Sequence, residues 1–288
     1  MHQQTLKDKA GKRLHSSKFF SKFVPEQKTE TMTVKAMYQQ AGFSYLGNVN
    51  HSRKMAKGKT FDVMTYSVYL ASSDSSGYNV CPMANVFCKN ACLNYSGHGR
   101  YNRTQKARIR KTRLFFENRD LFMKILFHEI AYFKKRAAKK GLSFAVRFNA
   151  TSDINLKQLK LDGLNVLEQF PDIQFYDYTK VYKYLFLANE YENLDMTFSY
   201  SGENWNECEN ALQNGFRVSA IFEKELPETF KGYPVIDGDQ YDMRYFDPND
   251  VIVGLRVKKV SSKELNQFNE NPFFVPYNHP DRVNLETV

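Results

Sequence analysis

The sequence predicts an α/β fold: a partial or distorted (β/α) barrel with largely parallel strands, a basic N-terminal arm and an extended C-terminal tail. Three observations predict it. Seven short apolar runs follow one another between residues 63 and 255. Helical patterns separate several of them, and strands that alternate with helices build βα units and a parallel sheet. The flanks are different: the first 32 residues are polar and basic, and the last 28 carry Pro272, Pro276 and Pro280. The organisation that follows is an arm and surface segment over 1–60, a barrel-like domain over 61–260 and a tail over 261–288.

Each element has its own warrant. Residues 1–32 hold Lys7, Lys9, Lys12, Arg13, Lys18 and Lys22 with little apolar periodicity, which reads as an arm that orders on a partner. Residues 63–70 are β-branched and aromatic and make the first strand. A polar loop over 71–77 leads to Cys81, and Gly97 and Gly99 make a second loop around His98. Residues 103–117 form a helix. Asn118 caps a longer one ending at Gly141, with Phe122, Ile125, Leu126, Ile130 and Phe133 on its apolar side. Later strands fall at 144–148, 173–176, 196–198, 217–222, 234–236 and 251–255, and helices at 156–169, 181–191 and 203–214. No helix-length segment separates the last two strands, so that connection is irregular. Seven strands approach a (β/α)8 or partial barrel and also suit an open sheet.

Composition excludes several classes. A hydrophobic content of 42% supports a core. No run of about 18 apolar residues exists, so no membrane span is expected. The first residues lack the apolar stretch of a secretory signal. Four unevenly spaced cysteines do not make a disulfide framework, and a reducing cytoplasm suits them better. The net charge is +10, and residues 100–140 alone contain fourteen Lys/Arg against three Asp/Glu. A basic element on a near-neutral body points to a polyanion, most simply nucleic acid, or to a lysine-rich solvated helix. Arg103, Lys106, Arg110 and Arg113 lie at i, i+3, i+7 and i+10, one stripe of that helix, preceded by Arg100 and widened by Arg108 and Lys111. Such a stripe suits backbone phosphates. One or two of its arginines could instead turn inward to carboxylates.

Chemistry in parallel α/β folds gathers at the carboxyl ends of strands. There the chain places 149–153 (Asn-Ala-Thr-Ser-Asp), 176–180, 199–203 and 237–242, and the cysteine loop follows the first strand. Asp153, Tyr178, Lys180, Asp237 and Asp239 are the candidate catalytic or substrate-lining residues. Asp153 also suits a helix cap, and Asp237-Gly-Asp239 a turn. Cys81, Cys88 and Cys92 fall within twelve residues at C-x6-C-x3-C spacing, and thiolates so clustered hold zinc or an iron–sulfur cluster. Three in one loop suit a [4Fe–4S] cluster with one open iron. His98 could complete a Cys3His zinc site, and Cys208 is either a fourth ligand or a buried thiol.

The segments 76–84, 88–94, 97–100, 105–113, 149–153, 174–180, 197–199, 233–239 and 251–255 resemble a family of phage- and plasmid-encoded proteins named for mycobacteriophage gene product eighty-eight. The resemblance covers about residues 60–256 and implies no stated function. A second, architectural similarity is to radical S-adenosylmethionine enzymes, whose cluster cysteines follow the first strand of a partial barrel as Cys81, Cys88 and Cys92 do here. It implies a [4Fe–4S] cluster and S-adenosylmethionine. That family's usual spacing is C-x3-C-x2-C, and no Gly-Gly-Glu-type segment follows the second strand here.

The leading expectation is a phage-encoded enzyme of the bacterial host cytoplasm that uses a metal or Fe–S centre on nucleic acid or nucleotides. The alternative is a non-enzymatic nucleic-acid-binding protein with structural zinc or buried cysteines. A virion or assembly component is a third reading.

Overall fold

The computed structural model describes residues 32–90, 92, 97–257 and 272–283. Its strands, in chain order, are β1 (Gly47–Val49), β2 (Val63–Val68), β3 (Ser143–Arg147), β4 (Lys160–Leu161), β5 (Leu164–Asn165), β6 (Gln174–Thr179), β7 (Leu194–Ser199), β8 (Arg217–Phe222), β9 (Thr229–Phe230), β10 (Tyr233–Asp237), β11 (Ile252–Arg256), β12 (Phe274–Val275) and β13 (Arg282–Val283). The helices are α1 (Val34–Ala41), α2 (Arg53–Ala56), α3 (Val86–Asn90), α4 (Asn102–Glu117), α5 (Arg119–Ala138), α6 (Val166–Gln169), α7 (Tyr182–Leu185), α8 (Leu187–Glu190) and α9 (Trp205–Gln213).

The alternation of apolar runs and helices does produce a mixed α/β architecture. Among the described residues, one large sheet runs in the order β1-β2-β3-β6-β7-β8-β11-β10-β9-β13, with β12 on β8. The seven strands from β2 to β10 in this order pair in parallel. β1, β9 and β13 are antiparallel additions at its two ends. No pairing of β1 with β13 closes the sheet among the described residues.

Local chemistry explains most of the elements. Asn118 accepts the amide of Leu121 and caps α5, as its position predicts. The helix expected over 156–169 is instead a short hairpin, β4 and β5, followed by α6. Its turn residues Asp162 and Gly163 both take positive φ, the conformation that Asp-Gly favours in tight hairpins. The helix expected over 181–191 is two short ones, α7 and α8. The irregular connection between β10 and β11 is present, with one 3-10 turn at Arg244–Phe246.

Residues 34–60, read from sequence with the arm, form α1, β1 and α2, and Met37, Ala41 and Leu46 enter the main core. Residues 1–31 lie outside the described residues. Within the expected tail, 272–283 adds β12 and β13 to the sheet. Its backbone passes so close to Gly202 that any Cβ there would overlap Pro272, and Gly202 also has φ +92.

The two faces of the sheet differ. Tyr66, Val68, Val146, Phe148, Phe175, Phe198, Val218 and Phe222 pack into the main core with α5 and α9 residues such as Phe122, Ile125, Ile130, Ala211 and Leu212. By strand alternation the other face shows Thr65, Ser67, Arg147, Tyr176, Tyr178, Thr197 and Ser219. This polar face is covered by 238–250, whose Met243 packs with Val63, Ala145 and Tyr176. Segment 50–61 lies alongside it: Phe61 meets Tyr241 and Phe246, and the Lys54 ammonium donates to the Gly238 carbonyl.

One buried carboxylate ties the N-terminal elements to the body. Glu129 of α5 accepts from the hydroxyls of Tyr38 and Tyr66 and the amides of Leu46 and Gly47, at 2.7–2.8 Å. Four donors satisfy a charge that burial would otherwise make costly. Gly47 is required there because a Cβ would overlap the Tyr66 ring. Glu129→Ala should therefore lower stability by about 3 kcal/mol or more, leaving buried donors unpaired, while Tyr66→Phe should cost about 1–2 kcal/mol, both read by denaturant unfolding.

Candidate functional site

The loop after β3 is bonded to both of its neighbours. Its amides of Ala150 and Asp153 donate to the carbonyls of Val68 and Val80, and the Thr151 hydroxyl donates to the Leu70 carbonyl. Those bonds hold the segment that carries Cys81. On the other side Asp153 accepts from the Thr179 hydroxyl at 2.7 Å and the Lys180 amide at 2.8 Å, at the end of β6. Asn149 donates its amide and side-chain N–H to Asp177, and its carbonyl oxygen accepts from Ser152 and Ile154. The Asn-Ala-Thr-Ser-Asp segment is thus a brace across the rim. Burial raises the Asp153 carboxyl above its ordinary value, against the opposing donors from Lys180 and Thr179.

Cys81, Cys88 and Cys92 line one cavity of about 180 Å³, together with Ser72, Ser73, Asp74 and Lys89. The placement of the cysteine loop after β2 delivers Cys81, and the short helix α3 carries Cys88. The Cys81 sulfur accepts the Ser73 amide at 3.4 Å, and its S–H points to the Thr151 carbonyl at 3.9 Å. Burial, with Cys92, Asp153 and Cys88 nearby, pushes the Cys81 thiol up to about 12. Among the described residues no three His, Cys, Asp or Glu side chains are arranged as a metal-binding group. His98 is exposed, 5.7 Å from the Tyr101 ring. Cys208 lies in the apolar core on α9, bonded to Asn204, away from the three-cysteine cavity.

The basic helix divides into two faces. Arg100, Arg103, Lys106, Arg110 and Arg113 are exposed, and none is in an ion pair among the described residues. Arg108 and Lys111, expected to widen the stripe, turn inward instead. Lys111 donates to the Leu46 carbonyl at 2.6 Å and stands over the Tyr45 ring; burial lowers it to about 8. Arg108 stands over the Tyr69 ring at 5.2 Å, and burial lowers its guanidinium below the ordinary value. The inward pair meets carbonyls and aromatic faces, not the rim carboxylates.

Asp237 and Asp239 sit apart from the brace, tied into ion pairs. The Arg256 guanidinium donates to Asp237 at 2.9 Å, the Arg256 amide to Asp239, and Lys54 lies 3.1 Å from Asp239. Asp239 also holds the turn, since its amide donates to the Asp237 side chain. Tyr178 lies under the Arg147 guanidinium at 4.6 Å, and Lys180 stands 5.2 Å over Phe273 of the returning tail.

A buried network on the polar face was not singled out from sequence. Arg147 donates to both Asp242 oxygens at 2.9 Å, and the Tyr176 hydroxyl adds a third bond. Burial would raise the Asp242 carboxyl, but Arg147 and Lys54 hold it below its ordinary value. Arg217 pairs with Asp195 and donates to the Asp247 carbonyl, and Arg244 pairs with Asp247 at 2.9 Å. An arginine inside the apolar run at 144–148 was the readable signal; nothing in the sequence names Asp242 as its partner.

The fold and rim define a mixed α/β protein with a cysteine-lined cavity beside a basic helix. Residues 41–269 match the protein family described as Gene product 88, and the chain belongs to that family. No curated protein and no solved structure matches. The comparisons do not show the similarity to radical S-adenosylmethionine enzymes.

Burial pushes the Asp177 carboxyl up to about 7, against the pull of Arg147 and the Asn149 donors. A carboxyl raised on folding binds more protons in the folded state. Stability should therefore fall as pH rises from about 4 to about 7. Asp177→Asn should flatten that fall, measured as Tm against pH.

Proposed function

We propose that this phage-type protein works in the bacterial host cytoplasm as a metal- or Fe–S-dependent enzyme on nucleic acid or nucleotides. Cys81, Cys88 and Cys92 would hold the centre, with His98 as a further zinc ligand. The observation that carries the reading is the cavity: three thiols line it, and the loop between Asp74 and Cys81 is bonded to the basic helix where Arg113 donates to the Ser76 carbonyl. A thiol raised by burial, as Cys81 is, becomes a ligand only when a cation compensates its charge. The Ser73 amide donates to that sulfur, the kind of bond that supports a ligating thiolate. A [4Fe–4S] cluster on three thiolates would keep one iron open, to S-adenosylmethionine in the radical-enzyme version, whereas zinc would supply a Lewis acid.

The finer fold reading, a partial (β/α) barrel, is supported by strand order from β2 to β8: β2, β3, β6, β7 and β8 succeed one another across the sheet in chain order and pair in parallel, while β11 and β10 follow in reversed order. In such a barrel the polar face with Tyr178 would form the inner wall, and Lys180 would stand at the mouth. The phosphates would lie along Arg100, Arg103, Lys106, Arg110 and Arg113.

A second reading, a non-enzymatic nucleic-acid-binding protein, is favoured by a different observation. Asp153 and Asp239 have both carboxylate oxygens engaged by amides, a hydroxyl or a cation, and Asp237 has its Oδ1 engaged by Arg256 and the Asp239 amide. Here zinc or packing would account for the cysteines.

Protein purified without oxygen should absorb near about 400 nm and contain iron and sulfide, and Cys81→Ser and Cys88→Ser should abolish both. Stoichiometric zinc in a colourless protein would leave the zinc version, and protein free of both metals would remove the metal reading. Lys106→Ala with Arg110→Ala and Arg113→Ala should weaken nucleic-acid binding and reduce the salt slope by about 2–3. Binding that keeps the wild-type salt slope would remove the stripe from the interface.

A further inference from the structure

Exposed aromatic rings stand near the start, the middle and the end of the stripe on α4. Tyr101, one residue before the helix, is 54% exposed; Phe116, three residues beyond Arg113, is 40% exposed. Beside the middle of the stripe, Tyr45 is 52% exposed. Its loop is fixed there because Arg110 donates to the Gly42 carbonyl and Lys111 donates to Leu46 and stands 4.7 Å from the Tyr45 ring. Phe116 is held flat by a parallel stack with Tyr78 at 4.5 Å and 6°.

The cations are also held in place. Arg110 uses one guanidinium N–H on Gly42, and Arg113 uses its Nε–H on Ser76, while both stay exposed. A guanidinium has five donors, so each keeps most of them for a phosphate. Arg103 to Arg113 spans ~15 Å of helix at about 1.5 Å per residue, enough for a short run of backbone phosphates.

Scattered single apolar residues on a surface carry no message. Three aromatics ranged beside one unpaired cationic stripe are a different arrangement. Phosphate contact alone does not need them, and the bases of a duplex are stacked on one another and present no free ring face. Bases of a single strand do, and they stack on aromatic side chains while the backbone follows a positive groove. Resting on the reading of α4 as the phosphate-binding element, we propose that the partner of this surface is single-stranded nucleic acid. Tyr101, Tyr45 and Phe116 are its base-stacking platform.

The test is fluorescence anisotropy of the full chain with a labelled oligothymidylate, an oligouridylate and a mixed-sequence duplex of the same length, at two salt concentrations. The proposal expects either single strand to bind at least about tenfold more tightly than the duplex. The double variant Tyr45→Ala/Tyr101→Ala should weaken single-strand binding about tenfold or more, since stacking contributes about 1–3 kcal/mol per base. It should leave duplex binding and the melting temperature near wild type, and Tyr45→Phe/Tyr101→Phe should restore the affinity. Equal affinity for strand and duplex, or unchanged single-strand binding in the alanine variant, would overturn the platform. If Arg103→Ala/Lys106→Ala still weakens all three ligands, the basic-helix reading stands without it. If that variant weakens none, both fall.

Discussion

Asp153 accepts the Thr179 hydroxyl and the Lys180 amide, while its own amide donates to Val80. Through this one residue the loop after β3 is bonded to the end of β6 and to the segment leading into Cys81. The cysteine cavity exists because that segment is held. Parallel strands leave their terminal amides and carbonyls without ladder partners, and a buried rim must satisfy them by other means. The polar residues of 149–153 do so. Their richness in Asn, Thr, Ser and Asp is explained by hydrogen bonding before any chemistry is invoked.

The same accounting sorts the carboxylates of the molecule. Glu129 and Asp177 are buried and Asp153 half-buried, and all three are bonded to neutral donors of the backbone and of Tyr, Thr and Asn. Asp242 is buried and Asp195 half-buried, each against an arginine. Asp237 and Asp239 are half-exposed and paired with Arg256 and Lys54. Each group has a partner of its own, which keeps the polar face of the sheet compatible with burial under 238–250.

Charge on α4 is divided by the helical period. Positions 103, 106, 110 and 113 fall on the solvent side, and 108 and 111 on the packed side. The packed pair survives burial because each cation meets a carbonyl or an aromatic face. The exposed set makes no ion pair among the described residues, unlike Lys124 and Lys134, which pair with Asp120 and Asp172. Part of the chain's excess charge is therefore displayed on the exposed side of α4.

The strands at 63–68, 143–147, 174–179, 194–199 and 217–222 and the capped helix α5 were legible in the sequence, because β-branched runs and Asn118 act through local chemistry. So was the exposed side of α4, since a period of 3.6 residues is a property of the helix itself. The hairpin at 160–165 was missed although Asp162-Gly163 was its local signal; the surrounding leucines fit a helix equally well. The clustering of Cys81, Cys88 and Cys92 was written in their spacing, but their shared cavity depends on the brace from 149–153. The meeting of Arg147 with Asp242, of Glu129 with Tyr66 and of the tail with Gly202 belongs to the tertiary structure alone. Those partners lie 95, 63 and about 70 residues apart, and no local rule selects one polar group among many at such a distance. Only the assembled sheet, by excluding water from its polar face, decides which of them must pair.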